Sequence, residues 1–523
     1  MDSKQIIQLI VFILYLVFML AIGVIFFIRG NKSKNEGEKT YFLGGRKMGA
    51  WVAALSAGSS DMSAWLLLGL PASIFALGIG QVWIAVGLAI GYAMSWLFEA
   101  SRLRRFSIIA NDSITIPQYL TNRFMSSSNA LRIVSAVVFL LAYTVYAATS
   151  VKACGTLFQS VLGIDPKISM IIAAVIIVSY TFLGGFSAVC WTDFFQSLLI
   201  LGALFLVPII ALFTFNGNFQ ALGFSDKAIE SINAYNALQT DPAKQLILAD
   251  TVKASVDNYW SIGSPVEIIN GLAWGIGYFG MPHIIIRFMS LKSDKELKKS
   301  SKIGISWTVL TLIFAVAIGI IGRFGIGFDA SLWKNETLFI DLVKTLPAVI
   351  SGLFLSAILA ASMSTADSQL LAASSAFTSD VYQPLIRKGK ASDKNMIWVG
   401  RIIVLIITVI ALVIALNPGA GTIMSLVGNA WGVFGASFGP VIMLSLFWKR
   451  FNYAGAIAGI VAGACIDILY LVLETTDVLT TGLYEIVPGA VVGLIAAIVV
   501  TLATKKPSKD VEELFDKAVA YKD

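Results

Sequence analysis

The stretch ALSAGSSDMSAWLLLGLP, residues 54–71, interrupts an apolar segment with a carboxylate and small polar residues: Gly58, Ser59, Ser60, Asp61 and Ser63. A carboxylate at the centre of a membrane helix costs about 2.5–3.5 kcal/mol on insertion scales. Glycine and clustered serines favour local unwinding, and carbonyls freed at membrane depth are tolerated where they line a cavity or bind a ligand. The stretch therefore predicts a broken helix at a binding site. The alternative is an intact helix packed through small residues, with Asp61 paired to a neighbour.

The composition around this stretch is that of a membrane protein. The chain has 523 residues, of which 57% are hydrophobic and 13% charged, against about 45–50% and about 25% in soluble domains. These values exclude an ordinary soluble enzyme, a disordered protein and a secreted disulfide scaffold. The single histidine, His283, excludes a multi-histidine metal centre. Cys154, Cys190 and Cys465 lie far apart, and we interpret them as small core residues.

Apolar stretches of about 20 residues predict an all-α polytopic membrane protein with about thirteen transmembrane helices. The predicted spans are 5–28, 49–75, 79–101, 132–162, 167–185, 190–214, 263–288, 303–327, 347–378, 397–416, 422–447, 453–473 and 484–504. The first is too long for a signal-peptide core and lacks a cleavage site of small residues, so we expect it to be retained.

The distribution of basic residues predicts the orientation. With the N-terminus outside, the segments 29–48, 102–132, 186–189, 287–302, 387–401, 448–452 and 505–523 are cytoplasmic and hold 29 of the 38 lysines and arginines. This bias follows the positive-inside rule and predicts a cytoplasmic C-terminus. The net charge of +7 is therefore topological, and we expect no nucleic-acid partner. The tail 505–523 is predicted to be a short amphipathic or frayed helix, and the polar segment 215–262 lies outside.

The seventh span contains a second interruption, GLAWGIGYFGMPH at residues 271–283. Three of its glycines match the dinucleotide-binding pattern G-x-G-x-x-G, but neither a preceding strand nor a βαβ unit is predicted, so the match is discarded. Three glycines followed by Pro282 predict a broken helix. Trp274 and Tyr278 are four residues apart, which places them on one face of any helical stretch. A plain aromatic packing pair is the alternative.

The ninth span reads SAILAASMSTADSQLLAASSAF from residue 356 to residue 377, and it places Ala361, Ser364 and Thr365 on one helix face. Two hydroxyls and a backbone carbonyl are oxygen ligands suited to a small cation, although such hydroxyls also bond to their own helix. Asp367 lies near the same face and, at this depth, needs a cation, a proton or a partner. Asp193, at the cytoplasmic end of the sixth span, is either an interfacial charge or a coordinating group.

The two interrupted spans are separated by four intact ones and cross the membrane in opposite directions. Corresponding broken helices in two inverted halves are typical of the binding site of a secondary transporter. We therefore predict a five-plus-five inverted repeat. The predicted parts are 1–48 (accessory span and cytoplasmic loop), 49–214 (first repeat), 215–262 (external loop), 263–447 (second repeat), 448–504 (two accessory spans) and 505–523 (tail).

At these residues the chain resembles the sodium/solute symporter family, and within it the branch that transports proline. The resemblance covers roughly residues 8–505. It is carried by YFLGGRKMGAWVAALSAGSSDMSAWLLLGLP (41–71), FLGGFSAVCWTD (182–193), AWGIGYFGMPH (273–283), LSAILAASMSTADSQLL (355–371) and GNAWGVFGASFGP (428–440).

The resemblance implies one sodium site between the second and ninth spans, with the backbone carbonyls of Ser59, Met62 and Ala361 and the hydroxyls of Ser364 and Thr365 as ligands. It also implies a substrate pocket and further cation or coupling groups. The pocket residues are Ser63, Ala64, Trp65, Tyr146, Trp274, Tyr278 and Pro282. The further groups are Asp61, Asp193, Asp367 and Ser368.

Two positions depart from the family pattern. Ala64 stands where glycine is expected, which would narrow the pocket slightly. Asp367 stands where a small hydroxyl residue is usual, which adds a carboxylate about one turn from the sodium hydroxyls. We hypothesise that Asp367 alters ion stoichiometry, ion choice or pH dependence.

The function that these features predict is sodium-coupled uptake of L-proline across the cell membrane by alternating access, with sodium as the co-transported ion. Another amino acid, a vitamin carboxylate or a sugar remains an alternative cargo. A channel or sensor is disfavoured because the chain has no repeated pore loop and only a short tail. A membrane enzyme is disfavoured because no nucleophile–base pair or metal cluster is present. No obligate protein partner is evident.

Overall fold

The computed structural model of the chain describes residues 2–32, 38–183, 185–214, 225–238, 259–326, 329–417 and 419–522. Within these ranges the chain is helical, and the one β-type pairing is an isolated parallel bridge between Met48 and Leu291. This outcome confirms the predicted fold class.

A helix occupies every predicted span, and we number these spans 1 to 13. Their bounds are Ser3–Lys32, Ala50–Leu77 (broken), Ile79–Ile109, Ala130–Leu162, Pro166–Leu183, Phe186–Thr214, Pro265–Ser290 (broken), Asp294–Ile326, Ala348–Phe377, Asp393–Leu416, Ile423–Phe447, Tyr453–Thr475 and Ile486–Ala503. Ten helices of the described chain are long and apolar enough to cross a membrane, and the bent pair in span 2 makes an eleventh. Span 5 contributes the shorter apolar stretch Pro166–Ser179, and span 7 does not meet that test as a single long helix because it is interrupted.

Span 9 lies at the centre of the helix bundle and contacts spans 1, 2, 4, 6 and 10. In its most apolar window 78% of the residues are buried, against 28% in span 1. Leucines, isoleucines and valines of spans 1, 10, 12 and 13 are exposed instead, as helices facing lipid require. The polar residues of span 9 therefore lie in the protein interior.

Short helices outside the spans were not predicted, with one exception. Lys509–Ala520 is the amphipathic tail helix that the sequence predicted, and it packs on the end of span 3 through Phe515 and Phe106, whose ring centroids are 5.2 Å apart. On the side of the bundle where span 8 ends, Ala330–Lys334 and Leu338–Lys344 contact the second half of span 2. The predicted external loop 215–262 contains the helix Ser225–Ala237, and its remainder lies largely outside the described residues.

Span 2 is broken where the sequence predicted. The first half ends at Met62, Ser63 takes φ +44° and ψ −179°, and the axis bends by 69° before the helix resumes through Gly69–Leu77. This conformation is disfavoured for any residue with a side chain and is typical of functional sites. Because the backbone hydrogen-bond pattern of the helix ends here, the carbonyls of its last turn have no N–H partner within the helix.

Span 7 is broken as well, into Pro265–Ala273, a 3₁₀ turn over Trp274–Phe279, and Pro282–Ser290. Gly280 is required at the break, since a Cβ there would lie 2.8 Å from the backbone nitrogen of Gly439 in span 11. The spacing predicted that Trp274 and Tyr278 share one face of a helix. That prediction is wrong, because residues four apart in a 3₁₀ turn lie on different sides of the turn. Both rings nevertheless contact Trp431 of span 11.

Candidate functional site

Four of the five predicted sodium ligands lie close together between the first half of span 2 and span 9. The Ser364 hydroxyl donates to the Ser59 carbonyl at 2.9 Å and lies 3.2 Å from the Ala361 carbonyl, and the Thr365 hydroxyl is 3.5 Å from the same Ser59 oxygen. Ser364 therefore does bond within its own helix, as the alternative held, but it also reaches across to span 2. Two hydroxyls of span 9 thus lie within 3.5 Å of carbonyl oxygens of span 2 and of span 9 itself.

Met62, the remaining predicted ligand, is buried and ends the first half of span 2. Its carbonyl belongs to the last helical turn, where oxygens lack intrahelical partners. Of these residues, Ser59 and Met62 lie on the break and the others on a continuous helix. The site therefore depends on how these two elements pack.

Asp61 joins the two breaks. The Tyr278 hydroxyl of span 7 donates to Asp61 Oδ2 at 2.6 Å, and the Tyr146 hydroxyl of span 4 lies 3.4 Å from the Asp61 carbonyl. Asp61 Oδ1 has no hydrogen-bond partner among the described residues. The alternative that Asp61 is paired to a neighbour is thus correct for one oxygen, and the neighbour belongs to the other broken helix.

Aromatic rings pack around the break in span 7. The ring of Trp274 lies 5.8 Å from that of Trp65 and stacks on Tyr484 at 5.4 Å and on Trp431 at 6.3 Å. The Trp431 indole donates to the Trp274 carbonyl at 2.7 Å. Trp274 and Tyr278, considered from the sequence as a packing pair, therefore belong to a larger aromatic cluster. Its members Trp431 and Tyr484 were not predicted. Trp431 lies in the motif at 428–440, which was the available signal.

The other predicted pocket residues border the same region. Ser63 and Ala64 follow directly on the break in span 2, and Pro282 occupies the first turn of the second half of span 7, where proline is favoured. All the predicted pocket residues are buried, the most exposed being Trp274 at 7%. The structure thus brings together residues from spans 2, 4 and 7.

A buried ionic cluster lies beside the candidate sodium site. Arg287 donates to Asp193 Oδ2 at 3.2 Å, to the Ser56 hydroxyl at 3.1 Å and to the Ser368 hydroxyl at 2.5 Å. Its guanidinium also donates to the His283 carbonyl. Ser56 donates to the same Asp193 oxygen at 2.6 Å. Asp193 is fully buried and paired, so the interpretation as an interfacial charge is wrong.

Arg287 and Ser56 were not predicted as site residues. Arg287 was assigned to the cytoplasmic segment 287–302, but the structure places it in the half-helix Pro282–Ser290 with 1% exposure. A long side chain at the end of an apolar stretch gives the same sequence signal whether it reaches solvent or turns inward. The available signal was an arginine three residues inside the end of that half-helix.

Asp367 lies within this cluster. The Ser368 hydroxyl is 3.4 Å from Asp367 Oδ1 and 3.5 Å from Asp193 Oδ2, so it stands between the two carboxylates. Asp367 Oδ2 and Asp193 Oδ1 have no hydrogen-bond partner among the described residues. Two carboxylates and one guanidinium give the cluster an excess of negative charge when all three are ionised.

Two discontinuous helices that are joined by the Tyr278–Asp61 hydrogen bond beside an aromatic cluster, in a polytopic bundle, are typical of a secondary transporter. The family model "Sodium:solute symporter family" matches residues 41–463. The chain belongs to this family.

Relatives match over nearly the whole length. The osmoregulated proline transporter OpuE of Bacillus subtilis is 41% identical over 504 residues, covering 96% of each chain. A sodium/proline symporter of Staphylococcus aureus is 39% identical over 516 residues, covering 97% of this chain and 95% of the relative. Among solved structures, a Na⁺-coupled sialic acid symporter in a substrate-bound outward-open state has a TM-score of 0.71. At 23% identity, covering 96% of this chain and 99% of that one, it shows the common fold alone.

Proposed function

We propose that the chain imports L-proline across the cell membrane together with sodium, with the N-terminus outside and the C-terminus in the cytoplasm. The observation that carries the proposal is the meeting of the Ser364 and Thr365 hydroxyls with the Ser59 carbonyl, at a break that is itself tied to span 7. The names of the two relatives and the positive-inside bias of the sequence support the cargo and the orientation respectively.

In this proposal sodium is held by the carbonyls of Ser59, Met62 and Ala361 and by the hydroxyls of Ser364 and Thr365. These are uncharged oxygens from two helices that must stay adjacent for the ion to be bound. Sodium occupancy therefore stabilises the packing of the break in span 2 against span 9. Loss of sodium to a cytoplasm with little sodium removes that stabilisation and favours the inward-facing state.

Asp61 links the ion to the substrate in this mechanism. Its backbone lies on the break between Ser59 and Met62, and its carboxylate accepts the Tyr278 hydroxyl at 2.6 Å. A shift of the break on sodium binding is therefore transmitted to span 7, which presents Trp274 and Tyr278. Sodium and proline therefore favour the same conformational state, which is the condition for coupling their transport.

The pocket chemistry fits a proline zwitterion. Freed backbone groups at the two breaks can bind the charged ends, since half-helix ends in transporters face ionic substrate groups. The faces of Trp65 and Trp274 supply an apolar wall for the ring and a cation–π partner for the secondary ammonium. Ser63, Ala64, Tyr146 and Pro282 border this space in the proposal.

One sodium ion per substrate is energetically sufficient. Moving one charge across ~100 mV yields about 2.3 kcal/mol, and a tenfold sodium gradient adds about 1.4 kcal/mol. The sum, about 3.7 kcal/mol, corresponds to roughly 500-fold accumulation.

Uptake of radiolabelled L-proline into proteoliposomes tests the proposal. We expect accumulation with an inward sodium gradient, none when potassium replaces sodium, and inhibition by excess unlabelled proline. Equal uptake in sodium and potassium would contradict the coupling. Sodium binding without proline uptake would retain the transporter and replace the cargo, with other amino acids, vitamin carboxylates and sugars as the next substrates to test.

Substitution of Trp274 by alanine is expected to weaken proline affinity at least about tenfold, because the loss of one aromatic contact and its buried area exceeds about 1.4 kcal/mol. Sodium affinity should change less, since Trp274 contributes no sodium ligand. Proline and sodium dependence of uptake are measured in parallel. Trp51→Ala is the matched control, because Trp51 is 53% exposed on span 2. A larger change in sodium affinity than in proline affinity would remove Trp274 from the pocket.

Asp367→Ser, which restores the hydroxyl usual at this position, is expected to change the sodium:proline ratio, the ion preference or the pH profile of uptake. The reason is that it removes one of two carboxylates that share Ser368. Asp367→Asn, which keeps the shape and removes the charge, should give the same direction of change. Stoichiometry is obtained from the proline gradient at equilibrium as a function of the sodium gradient. If all three properties match the unmodified protein in both variants, Asp367 has no role in ion coupling.

A further inference from the structure

An apolar groove lies on the outside of the bundle, away from the site described above. It has a volume of about 460 Å³, is bounded by spans 7, 11 and 13, and is lined only by apolar residues. On span 11 the lining residues Gly439, Met443 and Phe447 recur every four positions, so the groove follows one face of that helix. Val491 and Leu494 line it from span 13 and are 51% and 38% exposed. The groove is therefore open along its side to the surrounding lipid.

The length of the groove matches the thickness of one lipid leaflet. The eight residue steps from Gly439 to Phe447 rise about 12 Å along the helix, and span 11 ends at Phe447. The hydrocarbon core of a bilayer is about 30 Å thick, so one leaflet contributes about 15 Å. An acyl chain that enters beside the end of span 11 thus has the length and the polarity that the groove accepts.

A positive charge lies at the end of the groove. The guanidinium carbon of Arg102 is 4.3 Å from the centre of the Phe447 ring, and its Nη1 donates to the Leu446 carbonyl at 2.8 Å. Its neighbour Arg105 pairs with Asp294, whereas no carboxylate of the described residues pairs with Arg102. The one charged group close enough to act on Arg102 is Arg105, which is also positive. This guanidinium is therefore available to an external anion, and its planar fork suits a phosphate.

We propose that this surface binds an anionic phospholipid, with one acyl chain in the groove and the phosphate on Arg102. A headgroup with a net negative charge, such as that of phosphatidylglycerol, balances the charge of Arg102. The zwitterionic headgroup of phosphatidylcholine carries its own cation and leaves that charge unbalanced. Basic sites at the cytoplasmic ends of membrane helices bind anionic headgroups for this reason. In the proposed orientation the lipid belongs to the cytoplasmic leaflet.

The bound lipid also contacts the break in span 7. Ile276 and Phe279, which line the groove, belong to the 3₁₀ turn of that span. A Cβ on Gly439 would lie 3.4 Å from the Ile276 carbonyl oxygen, so the turn and span 11 are in close contact there. The same turn carries Trp274 and Tyr278 of the candidate substrate pocket. An acyl chain in the groove therefore stabilises this turn and raises substrate affinity. This consequence rests on the proposed function, whereas the lipid site itself does not.

Native mass spectrometry of the purified, delipidated full-length chain tests the headgroup contact. Phosphatidylglycerol and phosphatidylcholine with the same acyl chains are added in turn, and the bound lipids are counted. We expect phosphatidylglycerol to bind at least about tenfold more tightly, and Arg102→Gln to abolish that difference, since one charge-assisted contact is lost. Lys394→Gln, which removes an exposed positive charge at the start of span 10, is the matched control and should retain the difference. Equal binding of both lipids to the unmodified protein, or an unchanged difference in Arg102→Gln, overturns the proposal.

A second pair of variants tests the groove. Leu494→Trp places a larger side chain in the groove and should weaken the binding of both lipids. Ile495→Trp is the matched control, because Ile495 is the next residue of span 13, is 54% exposed and does not line the groove. If Leu494→Trp binds phosphatidylglycerol as tightly as Ile495→Trp does, the acyl chain lies elsewhere and the proposed site is wrong.

Proline binding in proteoliposomes of the two lipids tests the consequence for transport. The unmodified protein should bind proline at least about fivefold more tightly in phosphatidylglycerol than in phosphatidylcholine, the lower end of typical coupling between two sites. In Arg102→Gln the two lipids should differ less than about twofold. A lipid dependence that Arg102→Gln leaves unchanged overturns the link to the pocket. Failure to bind proline in either lipid, with the mass-spectrometry result intact, would instead count against the proposed cargo.

Discussion

Replacement of Arg287 by methionine is expected to destabilise the protein by about 3–5 kcal/mol and to abolish transport, because it leaves the Asp193 carboxylate buried without its countercharge. Arg287 makes direct contacts with Ser56 of span 2, Asp193 of span 6 and Ser368 of span 9. Methionine retains most of the side-chain volume, so the loss reports on charge and hydrogen bonds and not on a cavity. Thermal unfolding of the purified protein and proline uptake are the two measurements.

The double variant Asp193→Leu/Arg287→Met distinguishes the effect of breaking the ion pair from a general sensitivity of this region to substitution. Removal of both partners of a buried pair by apolar groups is far less costly than removal of one. The double variant should therefore recover most of the stability that Arg287→Met loses. The stability of Arg287→Lys should fall between those of the unmodified protein and Arg287→Met, since lysine keeps the charge and loses the planar fork that reaches partners in three other spans. A stability unchanged in Arg287→Met would show that the network does not hold the spans together.

Replacement of Ser364 by alanine is expected to raise the sodium concentration for half-maximal uptake roughly ten- to a hundredfold, because the variant loses one oxygen that faces a cation, a contact worth about 1.5–3 kcal/mol. At saturating sodium the maximal rate should largely recover, since neither the substrate pocket nor span 7 is changed. The same direction and a smaller effect are expected for Thr365→Ala, whose hydroxyl is 3.5 Å from the Ser59 carbonyl against 2.9 Å for Ser364. Uptake is measured against sodium concentration at fixed proline.

Ser362→Ala is the matched control for these variants. Ser362 lies on the same helix two residues away, so it projects to the opposite side from Ser364. Its removal should leave the sodium dependence unchanged. A loss of uptake that is equal at all sodium concentrations in Ser364→Ala, with normal amounts of protein in the membrane, would exclude a ligand role for that hydroxyl.

Most of the fold was predictable because membrane helices are encoded locally. A run of about 20 apolar residues predicts a span wherever it lies in the tertiary structure, and helices occupy all the predicted segments. The breaks were predictable for the same reason, since Gly58, the adjacent serines and Pro282 act on the backbone at their own positions. Short helices such as Leu338–Lys344 were missed because seven residues of mixed polarity show no distinct hydrophobic periodicity.

The candidate site was predictable only in part. Ser364 and Thr365 were assigned from helical spacing and family resemblance, and both meet Ser59 across the helix interface. Trp431, Tyr484 and Arg287 were missed because their importance lies in partners that are distant in the chain. Arg287 and Asp193 are 94 residues apart, and no local pattern distinguishes an arginine that turns inward from one that reaches the cytoplasm.

A bundle of membrane helices with two interrupted spans can be predicted from the amino-acid sequence alone, because hydrophobic length and backbone breaks are properties of short segments. Which groups face one another at the breaks depends on how the helices pack. The packing joins Asp61 to Tyr278 and surrounds Arg287 with Asp193 and Ser368. The physical reason is that a buried charge or hydroxyl is stabilised by whichever partner the packing of helices brings within about 3 Å, and that packing is set by the whole bundle.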